Sequence, residues 1–402
     1  MTQPEGFVKD HTLVCKLNKS IYGLKQSARN WNLTLISFME TQKLKQSLSD
    51  PCVFFRKSEK DTLYALIWVD DLILCKSNMT VLNIFKTHFQ NRFKIKDIGC
   101  LSWFLGMQFS VCANVISINQ TLYVNTILTR FKMTDCNPRN LPCDPTVHQL
   151  LKQDSAMLDD QTQFRELIGS LIYLMVGTRP DLAFVVTLLS QFMSAPKVIH
   201  MKIALGVLRY LKYTAHYDLK YTKHRDPLQI VGYADSDYAA GKDRQSISGY
   251  CFRLNTTSAL ISWASRKQNL IADSTCESEY IALNEATKEA LFLRMLFAEL
   301  TQSNRQTVVI RDGNHEAIDS VVIYEDNKGA IDLAHHQTFH KRSKHIDIKY
   351  HLIRDYVKKK SVHVTYVPTK DNIADMFTKA LPGPKLKSFA IIRGTVSNVE
   401  GD

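Results

Sequence analysis

The chain predicts an α/β (α+β) fold, in which a mixed five-stranded sheet with flanking helices follows a more helical half. Three observations carry this. From Leu228 the apolar period drops to two, giving strands at 228–234, 248–254 and 258–263 that form a meander. A long helical pattern over 275–300 interrupts them. Strands at 320–325 and 361–367 then alternate with helices at 327–335 and 346–358, and a short helix starts near Asn372.

The first half divides in the same way. Residues 13–40 predict a short strand, a glycine turn (Tyr22-Gly23-Leu24-Lys25) and a helix. Residues 63–75 read as a buried hairpin, two apolar strands around Asp70-Asp71. A helix over 79–96, strands within 101–127 and a helix from about Val124 follow. Pro138, Pro142 and Pro145 mark 137–161 as a linker. Leu167, Leu171 and Leu174 recur at helical spacing, and Pro180 opens a second helix. A third runs from about His200 to Lys212. The polar stretch 302–319 reads as an exposed insertion.

Composition narrows the function classes. The 402 residues are 45% hydrophobic and 22% charged, an ordinary globular balance. A formal net charge of +12 favours an anionic partner such as nucleic acid. The nine cysteines form no C-x-x-C pair, so they read as reduced thiols. No apolar stretch approaches the roughly 20 residues of a membrane helix, and no signal peptide is evident.

Four acids stand in apolar settings: Asp235 after Ile230-Val231-Gly232-Tyr233, Asp326 after Val321-Val322-Ile323-Tyr324, Glu279 on the long helix, and Asp375 in Asn372-Ile373-Ala374-Asp375. A single Asp at a strand end is usually a cap or a turn residue. Two strands lying side by side would bring two such acids together, and converged carboxylates call for cations. The helix separates its own two acids. Leu283, Ala286, Ala290, Leu293 and Phe297 form an apolar stripe that runs back to Glu279. Glu277 lies with Asn284, Thr287 and Lys288, so it is expected to face solvent.

Residues 228–381 resemble the RNase H domain of copia-type LTR retrotransposons. The likeness lies in Tyr233 through Ala239, Ser274 through Leu283, Tyr324-Glu325-Asp326-Asn327-Lys328, Phe339 through Asp347, and Ala374 through Lys379. The resemblance implies a catalytic set of Asp235, Glu279, Asp326 and Asp375. It also implies two Mg²⁺ ions, or Mn²⁺ in their place, about 4 Å apart across a scissile phosphate. In that scheme Asp235 bridges the ions and Asp375 holds the second one more loosely. The substrate implied is the RNA strand of an RNA–DNA hybrid, read through its 2′-hydroxyls and backbone.

Ser20 through Trp31, the strands around Asp70-Asp71, Leu101 through Phe109, Phe164 through Phe192 and Leu205 through Lys212 resemble the reverse transcriptase of the same elements. This implies a truncated palm at 1–136, a linker and helical thumb or connection at 137–222, an RNase H domain at 223–385 and a tail at 386–402. Asp70 and Asp71 would be metal ligands of the polymerase. Trp68 stands where the family usually has Tyr. A third polymerase carboxylate is expected on a strand before the Tyr-Gly-Leu-Lys motif, and the residues before Ser20 offer none of that kind. The expectation is therefore a partial polymerase without polymerase activity, joined to a complete nuclease site. The alternative is a nucleic-acid-binding relic dead in both activities, favoured if the 302–319 insertion disrupts the strand before Asp326.

Nucleic-acid contacts, to template RNA, DNA or hybrid, are expected at Lys25, Gln26 and Arg29, at Lys202, Arg209 and Lys212, and at Lys341, Arg342 and Lys344. His335, His336, His340, His345 and His351 lie near the last group but lack zinc-site spacing. The resemblance also implies other retrotransposon proteins as partners, and a location in cytoplasmic virus-like particles and in the nucleus.

Overall fold

The computed structural model describes residues 1–58, 61–223, 228–239, 243–256, 258–301, 320–336 and 347–386. It divides into two compact units. The first comprises Met1–Asp97 with Ala298–Asp312, and the second comprises Ile98–Phe297 with Gly313–Asp402.

In the first unit, helices α1 (Ser27–Thr41) and α2 (Met79–Arg92) flank an antiparallel sheet. Its strands are β1 (Lys45–Gln46), β2 (Val53–Lys57), β3 (Thr62–Trp68) and β4 (Asp71–Lys76), in that order. Residues 13–26 form turns and no strand. Asn78 caps α2 by accepting from the Thr80 N–H at 2.9 Å. The helix stops at Arg92, short of the expected 96, because Phe93 is extended. Phe38 packs edge-on against Phe85 and Phe89 at the centre of the core. The expected buried hairpin is only half-buried. Leu63 and Ala65 are sealed, but Trp68 on the same strand is 54% exposed.

The second unit opens with β5 (Trp103–Phe104), β6 (Met107–Val111) and β7 (Val115–Asn119), then α3 (Thr121–Arg130). Helices α4 (Val147–Leu150), α5 (Thr162–Gly177), α6 (Ala183–Ser190) and α7 (Val198–Tyr213) follow. Strand β8 (Leu219–Thr222) returns to pair with β7. That pairing places residues 98–136 with the second compact unit. The expected linker is packed against its neighbours. Cys143 and Val147 lie in the helical core, and the Arg139 N–H donates to the Arg209 carbonyl. Its prolines break it into short pieces, with α4 starting just after Pro145, but do not prevent burial.

The remaining elements are β9 (Ile230–Asp237), β10 (Ile247–Leu254), β11 (Leu260–Lys267), α8 (Thr275–Thr301), β12 (Val321–Glu325), α9 (Lys328–His335), α10 (Asp347–Lys358), β13 (Val362–Tyr366) and α11 (Asp375–Thr378). The sheet order is β11-β10-β9-β12-β13. The β9–β10–β11 meander is antiparallel, and β12 runs parallel to both β9 and β13. This is the mixed α/β sheet with flanking helices that the sequence predicts. Alternation along β9 and β12 separates two cores. Ile230, Ala234, Val321 and Ile323 pack with Tyr280 and Leu283 of α8. Val231 and Tyr233 pack with Ile373, Met376 and Phe377 near α11.

Candidate metal centre

Register builds the site. Tyr233 of β9 pairs with Tyr324 of β12, so Asp235 and Asp326, each two residues further on, lie level with each other. Glu279, one turn into α8, completes the group. Each of the three offers an oxygen, and these oxygens lie within 4.8 Å of one another. Asp235 is 2% exposed and Glu279 is 8% exposed. Such burial of acids is costly without a partner, yet the Glu279 Oε2 accepts no hydrogen bond.

The electrostatics record that cost. Burial pushes the Asp235 carboxyl up to about 7, with Asp375 and Asp326 adding to the rise and Lys379 and Thr378 opposing it. Burial, then the charges of Asp235 and Asp326, holds Glu279 well above the usual carboxylate range. A hard divalent cation prefers oxygen ligands and would relieve this repulsion, so the donor set fits one.

Asp375 stands apart from that trio. It is fully buried at the start of α11 and takes ammonium groups on both oxygens. Lys379 Nζ lies 2.6 Å from its Oδ1 and 3.6 Å from Asp235 Oδ2, and Lys385 pairs with its Oδ2. The Thr378 hydroxyl donates to Asp235 Oδ2. Burial works against the charge on Lys379, but Asp235 and Asp375 outweigh it and hold the ammonium above the ordinary lysine range.

Two features let α11 sit here. Gly249 pairs with Asp235 across β9 and β10, and a Cβ at Gly249 would meet Thr378 Cγ2 at 2.7 Å and Phe377 Cβ at 2.8 Å. Asn372 Nδ2 donates to the Ala234 carbonyl at 2.8 Å, tying the loop before α11 to β9.

Glu277 corrects the expectation of a solvent-facing acid. It is 7% exposed and accepts from the Asp273 N–H at 2.8 Å, while Ser274 Oγ accepts from the Glu277 N–H at 3.2 Å. Ser274-Thr275-Cys276-Glu277 is thus a capping sequence, and Glu277 satisfies backbone donors at the start of α8. Asn284 and Thr287 are buried with it, so this end of α8 is enclosed on more than its apolar stripe.

Sequence reasoning passed over Glu325, Lys379, Lys385 and Gly249. Glu325 shares the inward face of β12 with Val321 and Ile323 and is completely buried. Burial and then Glu279 hold it far above the carboxylate range. Strand alternation could have found it. The i, i+4 spacing from Asp375 could have found Lys379.

The other candidates are placed differently. Asp70 and Asp71 are exposed at a two-residue turn with Val69 at φ +53°, and among the described residues they join no metal-binding group. Lys25, Gln26, Arg29 and Lys202 are exposed. Arg209 Nε donates to the Asn137 carbonyl at 2.7 Å and Lys212 Nζ to the Cys136 carbonyl at 2.8 Å, so both tether the 136–139 loop. Lys341, Arg342 and Lys344 lie outside the described residues, as does the 302–319 insertion. Strand β12, just after that insertion, is intact and paired on both sides.

A family model described as reverse transcriptase (RNA-dependent DNA polymerase) matches residues 1–145. The Retrovirus-related Pol polyprotein from transposon TNT 1-94 of Nicotiana tabacum is 35% identical over 410 residues, 99% of this chain and 29% of that protein. The corresponding polyprotein from transposon RE1 of Arabidopsis thaliana is 34% identical over 393 residues, 97% of this chain and 26% of its own length. The chain belongs to the retrovirus-related Pol polyproteins of copia-type transposons. This Pol chain therefore has its origin in a retrotransposon reverse transcriptase, and it spans less than a third of those two relatives. Among solved structures, the foamy viral protease-reverse transcriptase in complex with RNA/DNA hybrid aligns with a TM-score of 0.47 at 10% identity, over 95% of this chain and 41% of that one. Among the described residues of the Pol chain, no helix is long and apolar enough to cross a membrane.

Proposed function

We propose that this Pol chain hydrolyses the RNA strand of RNA–DNA hybrids in a Mg²⁺-dependent reaction at Asp235, Glu279 and Asp326. The observation that carries this reading is the convergence of these three carboxylates, two of them buried, at one end of an RNase H-like sheet. A divalent cation bound there would supply charge to acidify the attacking water and to stabilise the leaving 3′ oxygen. Asp235 is the central ligand, with Glu279 and Asp326 flanking it. Thr378 fixes the rotamer of Asp235, and Lys379 lowers the negative charge that an incoming phosphate would meet. Mn²⁺ suits the same oxygen donors.

The partner proposed is the hybrid itself, with template RNA and DNA as related ligands, attracted by the chain's net charge of +12. Lys25, Gln26, Arg29 and Lys202 are the exposed contacts among the described residues. No polymerase activity is assigned, because Asp70 and Asp71 have no third carboxylate beside them among the described residues. The deciding experiment incubates the purified chain with a labelled hybrid and Mg²⁺. Cleavage of the RNA strand, lost in Asp326→Asn, is expected. Equal cleavage by that variant would sink the assignment.

A further inference from the structure

The family resemblance implies a second ion held by Asp235 and Asp375, and a cation of the chain's own lies between those two acids. Lys379 Nζ is 2.6 Å from Asp375 Oδ1 and 3.6 Å from Asp235 Oδ2, so its ammonium spans the two acids. The second oxygen of Asp375 is taken by Lys385, and the Asp235 Oδ2 also accepts from Thr378. Asp375 is fully buried, and each of its oxygens lies against an ammonium, Oδ1 against Lys379 as an ion pair without a hydrogen bond and Oδ2 against Lys385. Lys379 directly follows α11 and turns back to pair with Asp375 at the start of that helix. Gly249 and Asn372 clamp that helix against β9 and β10. Asp375 is also outside the group of three whose oxygens converge.

We propose that Lys379 is the second cation of this site. One divalent ion binds to Asp235, Glu279 and Asp326, and the Lys379 ammonium fills the place between Asp235 and Asp375. This rests on the metal-dependent reading above. Lys379 is then a positioning residue, which orients Asp235 and neutralises charge. A second divalent ion at that place would meet a like charge within hydrogen-bonding distance of its ligands.

The stoichiometry of Mn²⁺ binding tests this on the full chain, counted by titration calorimetry at pH 7.5. Asp235→Asn serves as background for adventitious sites. One Mn²⁺ above background is expected for the native chain and for Lys379→Arg, and two for Lys379→Met. Two ions on the native chain would overturn the proposal while leaving the metal-dependent reading intact. So would a folded Lys379→Met that still binds one. No binding above background would overturn both readings. If Lys379→Met does not fold, as judged by circular dichroism, the native chain and Lys379→Arg decide the matter.

Discussion

At the scale of single residues, the acid cluster couples pH to stability. Asp235 has its carboxyl pushed up to about 7 by burial, against about 4 in an unfolded chain. The folded state therefore holds this proton more tightly than the unfolded state does. The stability associated with the protonated form is fully present below about pH 4 and is lost as pH rises through about 7. A bound divalent cation offsets that loss only where the carboxylates are ionised. Thermal unfolding should thus show a larger Mg²⁺-induced rise in Tm at pH 8 than at pH 5, and equal shifts would contradict the coupling. Glu279→Gln should reduce hybrid cleavage by about 10²-fold or more, since it removes a ligand from the transition-state cation. Rates within a few-fold of the native chain, at matched folding, would argue against Glu279 as a ligand.

At the scale of elements, α8 and α11 hold the site, and each depends on a few contacts. Leu283 is completely buried between α8 and the sheet. Leu283→Ala should cost about 2–5 kcal/mol, read as a lower midpoint in urea. Gly249 allows α11 to approach β10, and a valine there would collide with Phe377 and Thr378. Gly249→Val should weaken Mn²⁺ binding at the three-carboxylate group by moving Thr378 off Asp235, with less effect on the helical block formed by α5, α6 and α7. Unchanged binding would mean that α11 does not position Asp235. The two acids of α8 show how far periodicity reaches. The apolar stripe separates Glu279 from Glu277, but a stripe marks only which face meets the sheet. It does not reveal that the start of the helix is enclosed, nor that Glu277 turns back to cap it.

At the scale of the whole molecule, one half of the chain has a closed acid group and the other has an exposed acidic turn. Primer extension on an RNA template should give no product with this chain, and product would show that Asp70 and Asp71 work without the third carboxylate. Hybrid binding should weaken steeply between 50 and 200 mM salt if it is driven by phosphate contacts, as expected for several neutralised phosphates. A salt-independent affinity, followed by fluorescence anisotropy, would point away from a basic binding surface.

Much of this was legible in the residues. Period-two runs marked the sheet strands, and the 3.6-residue stripe marked α8, because side-chain alternation is set by backbone geometry alone. The short motifs around Asp235, Glu279, Asp326 and Asp375 were sufficient to identify the family. The tertiary structure alone decided which acids meet. Parallel register between β9 and β12 brings Asp235 and Asp326 level, and α8 adds Glu279 from far along the chain. It also decided that Asp375 pairs with Lys379 and Lys385, and that Glu325 is a further buried acid, close enough to Glu279 to feel its charge. Charge pairing depends on distances of a few ångströms between distant segments, and local pattern does not encode those distances.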